Sequence, residues 1–251
     1  MTIHSSKSGR ILAASLVALV LCATGAFAFW DRNALWRTVQ SCKVDLKTLG
    51  LAFPCLHVAS DPDKSESTVV IRAPLEQTHI IVVPTHRVPG LESPVLLRPE
   101  SGAYWRAAWD ARHYVASAHP RPLRLADIGI AANSQETRSQ DQFHIHADCV
   151  SSRVRADLSA HAGGIGTAWK LLPFTVAGHR YYGRQIAAAQ LAAFNPLGSL
   201  VDAIPALRER MDVTGFAILP AQSPDAQLTL LANASPQVAM EDVLDHACRG
   251  V

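Results

Sequence analysis

"DQFHIHADCV", Asp141 to Val150, is the stretch on which the fold turns. Its residues alternate. Phe143, Ile145, Ala147 and Cys149 fall on one side of an extended chain, Gln142, His144, His146 and Asp148 on the other, because successive strand side chains point to opposite faces. The first face is built for burial. The second presents an amide, two imidazoles and a carboxylate in a row, about 7 Å between successive members. Three roles fit such a row. It is the wet face of a half-buried strand, or a pair of metal ligands assisted by Asp148, or a nucleophilic imidazole with a second imidazole moving a proton. Spacing alone leaves all three open.

Working outward, "VVIRA" from Val69 and "HIIVVP" from His79 read as a hairpin, and "DIGIAAN" (Asp127 to Asn133) as a short apolar strand. "GFAILPA" and "AQLTLLA" supply two more strands near the C-terminus. Apolar periodicity predicts helices over Arg32–Leu51, Gly102–Ala118 (Trp105 and Trp109 on one face), Ser152–His161 and Pro196–Met211. Ser235 as cap with Pro236 at the first position predicts a final helix carrying Glu241 to Cys248. "GGIG" (Gly163 to Gly166) lacks the Lys and Ser/Thr of a phosphate loop and reads as a turn. Hairpins mixed with helices make an α+β fold.

The chain has 251 residues, 18% of them charged, with a net charge of +2. That balance leaves no electrostatic footprint for nucleic acid. Ile11 to Trp30 carries no charge, and twenty such residues in a helix span roughly 30 Å, a bilayer core. The segment reads as a transmembrane anchor, residues 1–30, ahead of an exported domain, residues 31–251. A cleaved signal peptide is the alternative, since "AFA" (Ala26 to Ala28) is a small-x-small site. Leu21 before Cys22 speaks against lipidation. Either way the remainder is exported, and its four cysteines, Cys42, Cys55, Cys149 and Cys248, suggest two disulfides. Of the three pairings, Cys42–Cys55 closes a short loop worth about 2–4 kcal/mol. Cys149–Cys248 would then tie the C-terminus to the histidine strand. Four separate thiols are the other reading.

"QFHIHADC" resembles the histidine-triad motif, H-φ-H-φ-H-φ-φ, of nucleotide hydrolases and transferases. More of the chain is similar to the bacterial CDP-diacylglycerol pyrophosphatase family: the N-terminal apolar segment, "VPTHRVPGLESP" (Val83 to Pro94), "WDAR" (Trp109 to Arg112), "AANS" (Ala131 to Ser134), "FHIHADC", Trp169, "GHRYYGR" (Gly178 to Arg184) and Cys248. The resemblance implies a histidine-triad-like antiparallel sheet with flanking helices, preceded by the transmembrane helix. It implies a single-pass inner-membrane protein with a periplasmic domain, acting on CDP-diacylglycerol at the bilayer without a cofactor or bound metal. His144 takes the place of the nucleophile and His146 of its phosphate-binding neighbour. Gln142 stands where the triad has its first histidine. Asn133, Ser139 and Gln140, ahead of the strand, are expected at ribose or phosphate. Thr85, Arg87, His179 and Arg184 are further substrate-binding candidates. The rival functions are hydrolysis of another exported nucleotide, and a tethered metal-binding or scaffold domain.

Overall fold

The structure, a computed structural model, describes residues 31–59, 61, 64–221 and 227–250. Helix α1 (Ala34–Leu49) leads through β1 (His57–Val58) to the hairpin β2 (Thr68–Arg72) and β3 (Ile80–Pro84). Then come α2 (Gly102–Asp110), α3 (Arg112–Ala118), β4 (Ile128–Ala132), β5 (Ile145–Val150) and α4 (Ser152–Ala160). The hairpin β6 (Lys170–Val176) and β7 (His179–Ala187) precedes α5 (Pro196–Ala203), β8 (Thr214–Pro220), β9 (Gln227–Ala234) and the short β10 (Leu244–Asp245). One sheet holds all ten strands found among the described residues. Its order is β1-β2-β3-β5-β4-β8-β9-β7-β6, each pair antiparallel, with β10 added beside β5.

The alternation in "QFHIHADC" works as expected on one side. Phe143, Ile145 and Ala147 join the main core, together with Trp105 of α2, Val115 of α3, Leu197 of α5 and Phe216 of β8. Trp105 and Trp169 meet the Phe216 ring with centroids 4.9 and 5.9 Å away. The opposite sheet face carries two smaller cores. One forms under α1 from Val39, Cys42, Val69 and Val83. The other forms under α4 and the C-terminal segment from Val154, Leu219, Met240 and Val243. The polar row of β5 lies on this second face. His146 pairs across the sheet with Ile81 and Ala131, and directly opposed residues share a face.

The antiparallel sheet with flanking helices is present, but the expected transmembrane helix is not part of this fold. Ile11 to Trp30 lies outside the described residues, and no helix among the described residues is long and apolar enough to cross a membrane. The final helix is also corrected. Ser235 makes only a turn, accepting at its hydroxyl from the Gln237 amide. Met240–Val243 is a 3₁₀ turn, and Leu244 and Asp245 pair with Val150 and Cys149. Backbone groups on the free edge of β5 need partners, and supplying them outweighs a helix whose first turns have the right caps. The β6–β7 hairpin is an element that sequence reasoning did not assign. Ala177 (φ 51) and Gly178 (φ 91) form its tight turn, a conformation suited to two-residue hairpins. Both anticipated disulfides, Cys42–Cys55 and Cys149–Cys248, are formed.

Phe216 is fully buried between two indoles. Phe216→Ala is expected to lower unfolding free energy by about 3–5 kcal/mol, measured by urea denaturation.

Candidate active site

Both faces of β5 are buried, so every polar group on the second face needs a partner inside the protein. Gln142, just before the strand, is fully buried. Its Oε1 accepts from the Val88 amide at 3.2 Å, and its Nε2 donates to the carbonyls of Pro84 and His86 at 3.2 and 2.7 Å. The side chain clamps the loop after β3. The orienting contact to His144 comes instead from the Gln142 main chain: its carbonyl accepts from His144 Nδ1 at 2.7 Å. A carbonyl only accepts, so Nδ1 carries the proton and Nε2 keeps its lone pair. Burial pushes the His144 pKa down to about 4, which leaves a neutral ring at neutral pH.

His146 lies edge-on to His144, with centroids 4.8 Å apart. Its Nδ1 is 2.9 Å from His79 Nε2 and 3.2 Å from Glu241 Oε2. Burial, together with the three neighbouring imidazoles, holds its pKa well below the ordinary histidine range. The Glu241 contact is therefore not an ion pair while the ring is neutral, and becomes one only when His146 takes up a proton. His79 Nδ1 in turn bonds the Glu76 carboxylate. Burial, and next the charge of His246, lowers the His79 pKa. A carboxylate accepts, so the proton order runs from His79 Nδ1–H to Glu76 and from His146 Nδ1–H to His79 Nε2. That leaves His146 Nε2 as a lone pair, and it is buried without a partner.

The fourth ring comes from the C-terminus. His246 stacks on His79 with centroids 3.9 Å apart, and its Nδ1 is 3.2 Å from Asp148 Oδ2. Burial opposes its charge. The Asp148 hydrogen bond and the fields of Asp148, Glu76 and Glu241 outweigh that and raise its pKa. Burial raises the Glu241 pKa against the Asn133 hydrogen bond. Asn133, at the end of β4, holds Glu241 at both ends: its Nδ2 donates to Oε1 at 2.8 Å and its Oδ1 accepts from the Glu241 amide at 3.0 Å.

Among the sequence candidates, the structure brings together His144, His146 and Asn133, with Gln142 beside them as a clamp. It does not bring in the rest. Gln140 caps α1, its Oε1 accepting from the Leu35 amide at 2.8 Å, and Ser139 is exposed beside it. Thr85 is buried and donates to the Ser67 carbonyl at 3.2 Å. Arg87 bonds Asn33 and lies 5.5 Å over the Trp36 ring. His179 and Arg184 are on β7, four strands from β5, about 19 Å away at the usual spacing. Sequence reasoning missed Glu76, His79, Glu241 and His246. Two signals pointed to them. Strand alternation puts His79 on the same face as Ile81, and the Cys149–Cys248 pairing brings His246 to β5.

Glu76, His79 and His246 place one ligand atom each within 4.8 Å of one another, a set chemically able to hold a transition ion. The direct Glu76–His79 hydrogen bond and the stacked rings satisfy the same groups without one. An open cleft of about 760 Å³, lined by Leu75, Glu76, Thr78, His119, His246 and Arg249 among others, reaches the cluster at Glu76 and His246.

A row of buried imidazoles, one with an oriented lone pair and one backed by a carboxylate, built into an antiparallel sheet, is equipped for nucleophilic and proton-transfer chemistry. The family model of CDP-diacylglycerol pyrophosphatases matches residues 30–251. A CDP-diacylglycerol pyrophosphatase of Yersinia pestis is 32% identical over 254 aligned residues, covering 98% of this chain and 96% of that protein. The chain belongs to the CDP-diacylglycerol pyrophosphatase family, and it is a hydrolase.

Gln142→Ala leaves the Val88 amide and two carbonyls without their partner. A loss of about 1–3 kcal/mol is expected in chemical denaturation. The depressed histidines give a second outcome. Below about pH 6.5 the unfolded chain takes up protons that folded His79, His144 and His146 refuse, so stability falls as pH drops. For His144 that loss runs down to about pH 4. His144→Asn should flatten the decline of the melting temperature over this window.

Proposed function

We propose that this protein hydrolyses the pyrophosphate of CDP-diacylglycerol to CMP and phosphatidate through a cytidylyl–His144 intermediate, as a step of phospholipid metabolism. The observation that carries the reading is the Gln142 carbonyl on His144 Nδ1. It leaves the Nε2 lone pair free in a ring that burial keeps neutral, which is the state a nucleophile needs. Family membership supports the substrate.

In the first step Nε2 attacks the cytidylyl phosphorus. The N–P bond forms, the P–O bond to phosphatidate breaks, and its electron pair leaves on the phosphatidate oxygen. No proton is required, because a phosphate is already a stable anion. In the second step water attacks the same phosphorus and the N–P bond breaks, returning the pair to His144. The water proton passes to His146 Nε2. A positive charge there is stabilised by His79 and Glu76 in line behind it, and by Glu241 alongside. Two disulfides in the catalytic domain support an oxidising compartment such as the periplasm.

The test is His144→Ala, assayed for CMP release. A fall of at least about a thousandfold is expected, with loss of an acid-labile cytidylyl adduct that wild type accumulates. Retained turnover would sink the assignment. Glu76→Gln should reduce kcat about a hundredfold, with adduct formation retained and adduct breakdown slowed. In wild type the acid limb of kcat/KM should fall near the His144 value of about 4, not at the ordinary histidine value.

A further inference from the structure

Several large apolar side chains stand in water at one end of the sheet. Phe53 is 76% exposed, Leu49 66%, Leu51 59% and Leu75 105%. Scattered surface leucines are ordinary, but these are gathered by topology. β1 runs antiparallel to β2 with His57 opposite Val70, and the Leu56 amide donates to the Val70 carbonyl. The chain ahead of His57 therefore lies toward the Arg72 end of β2, the end at which the β2–β3 turn carries Leu75. The Cys42–Cys55 disulfide clips the Leu49-to-Phe53 segment to α1, so these tips project from a braced loop. Leu75 adopts φ 66, a backbone region that leucine rarely occupies.

The cleft that reaches Glu76 and His246 opens at this same end, and Leu75 forms part of its wall. Arg249 is exposed in its wall, alongside the carboxylates of Glu76 and Asp245, and Lys47 is exposed on the last turn of α1, two residues before Leu49. Apolar tips on two separate loops, with cationic groups beside them, match a lipid interface, where acyl chains lie below a layer of phosphates.

We propose that this end of the sheet docks on an anionic bilayer. Leu49, Leu51, Phe53 and Leu75 enter the boundary between headgroups and acyl chains, Lys47 and Arg249 meet phosphates, and the cleft is set over a lipid headgroup. The inference rests on the diacylglycerol-linked substrate proposed above and adds how such a substrate is reached without leaving the membrane.

The experiment uses the full chain with phosphatidylcholine–phosphatidylglycerol vesicles. Turnover of CDP-diacylglycerol in the vesicles is compared with turnover of a short-chain CDP-diacylglycerol held below its micelle concentration. Leu51→Asp/Phe53→Asp should lose about tenfold or more on vesicles, equivalent to about 1.4 kcal/mol of interfacial binding, and keep short-chain turnover. Unchanged vesicle turnover overturns the docking edge. So does equal loss on both substrates, which marks damaged folding. If wild type turns over neither substrate, the substrate reading itself fails. An activity-free readout is Leu75→Trp, whose added emission should be quenched by brominated phosphatidylcholine. Thr175→Trp, exposed on the β6 edge, should be unquenched. An unquenched Leu75→Trp, with or without a second copy of the chain covering it, overturns the proposal.

Discussion

A strand buried on both faces, with a polar row on one of them, is the constraint on which the rest of the structure depends. Gln142, His144, His146 and Asp148 have almost no contact with water, so each must be hydrogen-bonded by the protein or remain costly. The fold answers residue by residue. The loop after β3 meets Gln142, the main chain meets His144, His79 and Glu241 meet His146, and His246 meets Asp148. One atom is left over, His146 Nε2. In a native structure such a leftover calls for an explanation, and here it lies where the proposed chemistry needs a proton acceptor.

The partners come from distant parts of the chain, and the sheet is the device that gathers them. β3 and β10 share one edge of β5, and β4 occupies the other. Thus Glu76 and His79 arrive from the turn before β3, Asn133 from the end of β4, and Glu241 and His246 from either side of β10. The Cys149–Cys248 disulfide locks the last of these in place. Two charged residues outside this cluster do similar structural work. Arg112 of "WDAR" is buried with its guanidinium 3.3 Å over Trp109, donating to the Leu125 and Ile128 carbonyls. Asp141 joins Arg32 and Arg138, which hold its pKa down near about 2 against a smaller effect of burial, and this pins the start of α1 to the loop before β5.

The α+β class, the hairpin at His79 and the alternation of Asp141–Val150 were legible because they depend on local periodicity. The C-terminal helix was misread because its caps are genuine local signals. They were overruled by the need of β5 for an edge partner, which no local window contains. Gln142 was legible as a departure from the triad pattern but not in its role. Its side chain clamps a loop, and the contact expected of a first triad member comes from its carbonyl, an atom every residue possesses.

The sequence by itself determined which side chains of β5 share a face, which cysteines pair most simply, and that two imidazoles stand in a row. Those are properties of neighbours a few residues apart. Only the tertiary structure decided that the polar row is buried, that Glu76, His79, Glu241 and His246 complete it, and that Arg184 and His179 stand four strands away. Burial is set by what covers a strand, and the cover here comes from residues about a hundred positions along the chain, brought back by pairing and by a disulfide.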